Sequence, residues 1–509
     1  MSWLRGASDP PRPASPADSE EPLLNDNDRS RRSSQDEEAI QNDVKRNPRS
    51  RTRVAILSLL LTTSITTVAV VIYLLATHKL PAPTGRPHHH HDGNTPIKNV
   101  VVLVQENLSF DTLAGGLNYS RDIDNIVNLR PNKRFCNPSN ISDPSSPLIC
   151  AKPLAKNVAP DDPDHSIAGG NFQVYGTDHP DLSIHKPTMQ GFVSEQIRAH
   201  GINGDLKRAA EVINYYAPEH IPVFNALAEN FLLLDRWFAS VPGPTNPNRA
   251  YLTSGTSHGH GWNDPSFDHS SLPQVSIFQQ LTEANISWIN YSNATGFAPD
   301  ALFYTWTAKS EAGRKSIKRI DQFYADAAAG TLPQFTWINP ECCSYTSFHP
   351  PSPTDLGEGF VKSVYEAIRA SPQWNETLFI LTFDEHGGFA DHVPPPENVP
   401  PGDGIPYTEV ARDGKPTTFH FDRLGIRVPT LLISPYVQKG AVVHGPNGKG
   451  NKGQAKGEYT HTSILKYVDE LWGLDILTPR VEWSASFGDL IEKKFRKDTP
   501  ELLPDPVIF

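Results

Sequence analysis

The apolar positions of this chain fall into three kinds of pattern. Residues 54–77, VAILSLLLTTSITTVAVVIYLLAT, run for 24 positions without a charge. A helix that crosses a bilayer needs about 20 such positions. From Ile97 the pattern changes to short, β-branched runs. Ile97–Val104, Thr377–Phe383 and Val428–Ser434 are near-continuous apolar segments, and Phe335–Ile338 is a shorter one. Runs of this kind read as strands buried on both faces. Helical spacing appears between them. Gly359–Ala370 places Phe360, Val361, Val364, Ala367 and Ile368 on one face, and His461–Leu474 does the same with Ile464, Leu465, Val468, Leu471 and Trp472. Strands alternating with helices predict an α/β fold, a mainly parallel central sheet sandwiched by helices.

The patterns divide the chain into residues 1–53, a disordered tail; 54–77, a transmembrane helix; 78–96, a Pro/His-rich linker; 97–475, the folded body; and 476–509, a short closing segment. The tail is rich in Ser, Pro, Asp and Arg and poor in aromatic residues, the composition of a segment that cannot bury a core. Lys45, Arg46, Arg49, Arg51 and Arg53 precede the apolar run, and no acid follows Asp43 before it. The positive-inside rule then sets the N-terminus in the cytosol and residues 78–509 in a lumen or outside the cell, a type II topology. The leader is too long for a cleaved signal peptide. Sequons at Asn118, Asn140, Asn285, Asn290, Asn293 and Asn375, together with Asn107-Leu-Ser, all come after the apolar run, as a glycosylated lumenal body requires. Glu20-Glu21-Pro22-Leu23-Leu24 reads as an acidic dileucine sorting signal or as a chance leucine pair. His88–His91 reads as part of a solvated stalk.

Charge narrows the function. The tail carries ten basic and ten acidic side chains, so the net charge of −11 belongs to residues 54–509. An acidic body argues against a nucleic-acid partner. Four cysteines exclude a disulfide-dense scaffold. An oxidising lumen lets Cys136 and Cys150 pair; the adjacent Cys342 and Cys343 form either a vicinal disulfide or two buried thiols.

Candidate chemistry sits where open α/β sheets bind ligands, at the carboxyl ends of strands. The first predicted strand runs into Gln105-Glu106-Asn107 and another into Asp384-Glu385-His386-Gly387-Gly388. Such acids serve as helix caps or as metal ligands. Two strand ends doing the same favour a site for a divalent ion, with oxygen donors suited to Mg²⁺, Ca²⁺ or Mn²⁺ and tolerable to Zn²⁺. Val241-Pro-Gly-Pro-Thr-Asn-Pro-Asn-Arg249 is a proline-stiffened loop that presents one hydroxyl, Thr245, among amides and an arginine. It reads either as a rigid surface turn or as a nucleophile loop, with Thr245 attacking phosphorus and Asn248 and Arg249 holding phosphoryl oxygens. His165, His258, His349, His392 and His461 lie in polar, turn-rich contexts that suit proton transfer or structural hydrogen bonds.

Glu106-Asn-Leu-Ser-Phe-Asp111, Pro244-Thr-Asn-Pro-Asn-Arg249, Asp384-Glu-His-Gly-Gly-Phe-Ala-Asp-His-Val393, Arg427-Val-Pro with Ile433-Ser-Pro435, and His461-Thr-Ser463 occur in one order across residues 97–475. Together they resemble the phosphoesterase family of non-specific, non-haemolytic phospholipases C and related bacterial acid phosphatases. The resemblance implies an alkaline-phosphatase-like fold and a hydrolase acting on phosphoric esters. It implies Glu106, Asn107, Asp384 and Glu385 as metal ligands. Thr245 would be nucleophile and further ligand, His165 and His349 phosphate contacts with His349 the general acid, and His258 a more distant member. A ligand at Asn107 is incompatible with a glycan there.

The chain departs from the family at Leu108, where Arg is commoner, at Pro244, where the lipases carry Ser, and before His349, where Asn-Asp is usual. The long C-terminal domain of many members is not expected from these residues. Phospholipase C-type cleavage of phospholipid headgroups is the first expectation, and acid phosphatase activity on phosphomonoesters the second. The non-catalytic alternative is a glycosylated binding protein on the same fold, which bound metal would distinguish.

Overall fold

The computed structural model describes residues 95–293, 298–341, 346–446 and 457–509. The expected tail, the apolar run 54–77, the linker up to residue 94 and Cys342–Cys343 lie outside the described residues. Among the described residues no helix is long and apolar enough to cross a membrane.

Among the described residues eight strands form one sheet: β1 (Asn99–Gln105), β2 (Leu232–Leu234), β3 (Trp288–Ser292), β4 (Ile317–Arg319), β5 (Phe335–Asn339), β6 (Thr377–Phe383), β7 (Thr430–Ile433) and β8 (Ala441–Val443). Their spatial order is β8-β2-β7-β6-β1-β5-β3-β4. β1 is parallel to both β5 and β6, and β7 alone runs against its neighbours β6 and β2. All seven residues of β1 and of β6 are buried. That is why these strands carry apolar runs rather than an alternating pattern: both faces of the sheet centre are covered. The α/β expectation with a mainly parallel sheet is met.

The apolar runs at β1, β5, β6 and β7 appear as strands within a residue or two of their predicted limits. β2, β4 and β8 are three residues each, too short to leave a periodic signal. Four helices position the site and its surroundings: α1 (Ile167–Tyr175), α2 (Thr245–Ser254), α3 (Thr354–Ala370) and α4 (Thr462–Trp472). The helix expected from Gly359 is α3, and it begins earlier, at Thr354. Gly357 interrupts the apolar pattern there for a packing reason. A Cβ on it would lie 2.8 Å from the ring of Phe348, so the helix is admitted only with glycine at that point.

Away from the sheet, Cys136–Pro138 and Leu148–Cys150 pair antiparallel and are joined by a Cys136–Cys150 disulfide. The closing segment runs over α3, where Tyr365 donates to the carbonyl of Pro500 and Lys362 to that of Leu503. Asn118, Asn140, Asn285 and Asn375 are exposed. Asn107 and Asn290 are fully buried. Asn290 is held by Asn339 and by the carbonyl of Trp337 inside the sheet, so the sequon there does not present an acceptor.

Candidate active site

β1 and β6 are in register, Gln105 beside Phe383, so the residues after them emerge side by side. Asp384 N–H donates to the carbonyl of Gln105 (3.0 Å), and Asn107 N–H donates to Asp384 Oδ1 (3.2 Å). The chain turns sharply at both ends. Asn107 has φ +76°, a left-handed conformation that Asn tolerates better than most residues. Gly387 has φ +62°, and a Cβ there would lie 2.2 Å from the carbonyl oxygen of Asn107. Glycine lets the two strand ends approach this closely.

Four oxygen-bearing side chains are thereby gathered in a buried place: Glu106 is 4% exposed, and Asn107, Asp384 and Glu385 are 0%. Thr245 opens α2, and its hydroxyl donates to Glu106 Oε1 at 3.3 Å. Concentrated negative charge leaves its mark on acidity. Burial, and then the charge of Asp384, holds the Glu385 carboxyl well above the ordinary range. Asp384 is also raised by burial, against the opposing pull of Arg249.

The proline-rich loop is a built object rather than a surface turn. Asn248 Nδ2 donates to the carbonyls of Val241 (3.1 Å), Gly243 (2.9 Å) and Pro244 (3.2 Å), and Asn248 Oδ1 accepts from Val241 N–H (3.0 Å). These bonds fix Thr245 at the start of α2. They also correct the expectation that Asn248 holds substrate: its amide is fully engaged within its own loop. Arg249 is corrected likewise. Its guanidinium points into the core, donating to Asp384 Oδ2 (2.9 Å), Asp300 Oδ2 (3.4 Å) and the carbonyl of Val104 (3.3 Å). A buried arginine needs carboxylate partners, and the nearest are Asp300 and a proposed metal ligand, not a phosphate.

The histidines separate into two groups. His165 and His349 come together, ring centroids 6.1 Å apart. Each holds its Nδ1 against a backbone carbonyl, Pro163 O at 2.7 Å and Pro350 O at 2.6 Å, which makes Nδ1 the protonated nitrogen and Nε2 the one turned outward. His165 Nε2 is 4.0 Å from Glu385 Oε1, which joins this pair to the acidic cluster. Burial lowers the pKa of His349, but Glu106 and Asp162 outweigh it and the net shift is upward. His258, expected as a more distant member, is half exposed on a loop, 3.8 Å from Asp403.

Three residues to which the sequence assigns no specific role stand out. Asp162 lies 3.6 Å from His349 Nε2 and 3.8 Å from His165 Nδ1, and accepts from Asn107 Nδ2 at 3.2 Å. The run Asp161-Asp-Pro-Asp-His165 is the only signal for it, and nothing in that run singles out the second acid. Asp300 sits behind Arg249 and also accepts from Trp337 Nε1 (2.8 Å). His461 Nε2 donates to the carbonyl of Asp384 at 2.6 Å, while its Nδ1 accepts from Trp237 Nε1. These bonds hold the turn after β6 from behind.

The donors fit a divalent cation. Asn107 Oδ1 and Glu385 Oε1 are buried and have no hydrogen-bond partner among the described residues. A buried polar atom left unsatisfied costs about 1–3 kcal/mol, and a bound cation would satisfy both. Oxygen donors alone match the harder ions, Mg²⁺, Ca²⁺ and Mn²⁺. Asp162, His165 and His349 form a neighbouring ligand-bearing group.

The sequence pattern of the phosphoesterase family matches residues 97–475. This chain belongs to the phosphoesterase family. Non-specific phospholipase C4 of Arabidopsis thaliana is 38% identical over 427 residues, covering 82% of this chain and 76% of that protein. Phospholipase C B of Mycobacterium tuberculosis is 26% identical over 431 residues, covering 78% and 77%. Among solved structures, a protein of the alkaline phosphatase superfamily from Vibrio parahaemolyticus aligns at 11% identity over 52% of this chain and 63% of that one, with a TM-score of 0.31, too loosely to carry an argument. This phosphoesterase is therefore a hydrolase acting on phosphoric esters. The strand-end acids of β1 and β6, the loop of Thr245, and His165 and His349 all lie within the matched residues.

Proposed function

We propose that this phosphoesterase cleaves phospholipid headgroups in the manner of a phospholipase C, with Thr245 as nucleophile. The observation that carries the reading is the position of the Thr245 hydroxyl, fixed at the start of α2 and 3.3 Å from Glu106 at the edge of the buried oxygen cluster. The similarity to phospholipases C supports the substrate class. Glu106, Asn107, Asp384 and Glu385, with Thr245, would hold one divalent ion. Such an ion, when bound, lowers the pKa of a contacting hydroxyl and offsets charge on phosphoryl oxygens.

The residues do the rest. Glu106 accepts the hydrogen bond of Thr245 and is placed to receive its proton. Thr245 Oγ1 forms a bond to phosphorus as the bond from phosphorus to the glycerol oxygen breaks. His349, protonated through its two carboxylate neighbours, gives a proton to the departing glycerol oxygen, releasing diacylglycerol. His165, anchored by Pro163 O, contacts the phosphoryl group. Water then attacks phosphorus, restores the Thr245 hydroxyl and releases the phosphorylated headgroup. We further infer that the run 54–77 tethers the catalytic body on the lumenal or extracellular side of a membrane, where headgroups are at hand.

The test is hydrolysis of phosphatidylcholine and of p-nitrophenyl phosphate by the full chain supplied with divalent metal, beside Thr245→Ala. Diacylglycerol release that depends on Thr245 supports the reading. Cleavage of the monoester alone would assign a phosphatase, and no Thr245-dependent turnover of either would overturn the mechanism.

A further inference from the structure

Asn107 is the one amide among the proposed oxygen donors, and an amide has two unlike ends. Its oxygen binds a cation and its NH₂ repels one. The backbone leaves it no freedom to adjust. Asn107 is in the left-handed region, its N–H is held by Asp384 Oδ1, and its carbonyl oxygen lies against Gly387. Rotation of the side-chain amide by half a turn is the remaining choice, and it decides whether the oxygen or the NH₂ group is the end left free for a ligand.

Asp162 settles that choice. Its carboxylate only accepts hydrogen bonds, and Oδ1 takes one from Asn107 Nδ2 at 3.2 Å. The opposite orientation would set the amide oxygen against a carboxylate oxygen and turn the NH₂ group inward. In the observed orientation Asn107 Oδ1 is buried with no hydrogen-bond partner among the described residues. We propose that Asp162 is a positioning residue that locks the Asn107 amide with its oxygen toward the cation site. This rests on the reading of Glu106, Asn107, Asp384 and Glu385 as a metal site. The side chain of Asp162 is 41% exposed, so the core does not depend on it. Its other close neighbours, His349 Nε2 at 3.6 Å and His165 Nδ1 at 3.8 Å, are beyond hydrogen-bond distance.

The lock has a specific consequence. A carboxylate at position 107 has two oxygens and needs no orienting. Asp162 therefore matters when residue 107 is Asn and not when it is Asp. Mn²⁺ binding to the full chain in mild detergent, measured by titration calorimetry, tests this as a double-mutant cycle. Asp162→Ala is expected to weaken Mn²⁺ binding about 10–100-fold in the native background, the range typical for loss of a group that orients a ligand. In the Asn107→Asp background Asp162 meets a like charge and has no amide to orient, so the same change is expected to leave Mn²⁺ affinity unchanged or raise it. Asp162→Asn, which presents either end of its own amide, is expected to fall between wild type and Asp162→Ala. Unchanged thermal unfolding confirms that each variant is folded. Equal losses in both backgrounds, or no loss in the native one, would overturn the lock. If Asn107→Ala binds Mn²⁺ as tightly as wild type, Asn107 is not a ligand, and the metal-site reading falls together with the lock.

Discussion

Arg249 Nε donates to Asp384 Oδ2 across 2.9 Å, with both side chains buried at the heart of the molecule. The contact ties the first turns of α2 to the end of the central strand. It also pulls the pKa of Asp384 down, while burial and the charge of Glu106 push it up. Arg249 is thus a structural clamp. Arg249→Leu would leave Asp384 and Asp300 buried without their cation, a change that costs about 3–5 kcal/mol in comparable settings. Urea unfolding of this variant should show a loss of that size. A loss of activity with unchanged stability would return Arg249 to a substrate-binding role.

Thr245→Ala removes the hydroxyl and little else, because Asn248 rather than Thr245 holds the loop. Turnover of phosphatidylcholine should fall by about a thousandfold or more, as expected when a covalent nucleophile is lost, with the unfolding midpoint unchanged.

Chelation should act on the same site. Exhaustive treatment with a chelator is expected to abolish hydrolysis, and readdition of Mg²⁺, Ca²⁺ or Mn²⁺ to restore it. Glu385→Gln is expected to weaken retention of the ion. Metal analysis of the dialysed protein reads this directly, and full metal content in Glu385→Gln would remove that residue from the ligand set.

A second ionic cluster, to which the proposed chemistry assigns no role, predicts a pH effect on stability. Arg427 donates to Asp391 Oδ1 (2.9 Å) and Asp111 Oδ1 (3.1 Å), and His392 lies between Asp111 Oδ2 (2.6 Å) and Asp124 Oδ1 (3.2 Å). Burial lowers the pKa of His392, but Asp111 and Asp124 together push it up to about 10. The unfolded chain has an ordinary histidine near 6.5. The stabilisation from protonated His392 is therefore complete below about pH 6.5 and declines as pH rises toward about 10. Unfolding midpoints measured across that interval should fall for the wild type and fall less steeply for His392→Gln. Parallel curves would show that His392 is neutral in the folded protein.

The Cys136–Cys150 disulfide closes a loop of sequence separation 14. Replacing both cysteines with serine should cost about 3 kcal/mol on the chain-entropy account. Reductant should destabilise wild type more than the double variant.

The sequence by itself determined the strands that carry the site. Asn99–Gln105 and Thr377–Phe383 are buried on both faces, and a strand with no solvent side advertises itself as an apolar run. The acids after each run announce the oxygen cluster for the same reason: a charge at the end of a buried strand has to be explained. His165 and His349 enter the sequence reading as what the family resemblance implies.

Tertiary structure decided the rest, because it depends on contacts between residues far apart in the chain. The partners of Arg249 lie 51 and 135 positions away, at Asp300 and Asp384. No local pattern separates an arginine that clamps carboxylates from one that grips phosphate. Asn248 is available for a ligand in the sequence and spent on its own loop in the fold. His258 has the same polar setting as its fellow histidines, and the fold leaves it on an exposed loop. Asp162 is one acid among three in a short run, and only the meeting of segments 55 positions apart sets it against the amide of Asn107. Burial patterns are written locally, residue by residue. Which end of a polar side chain faces which partner is fixed only when the chain has closed around it.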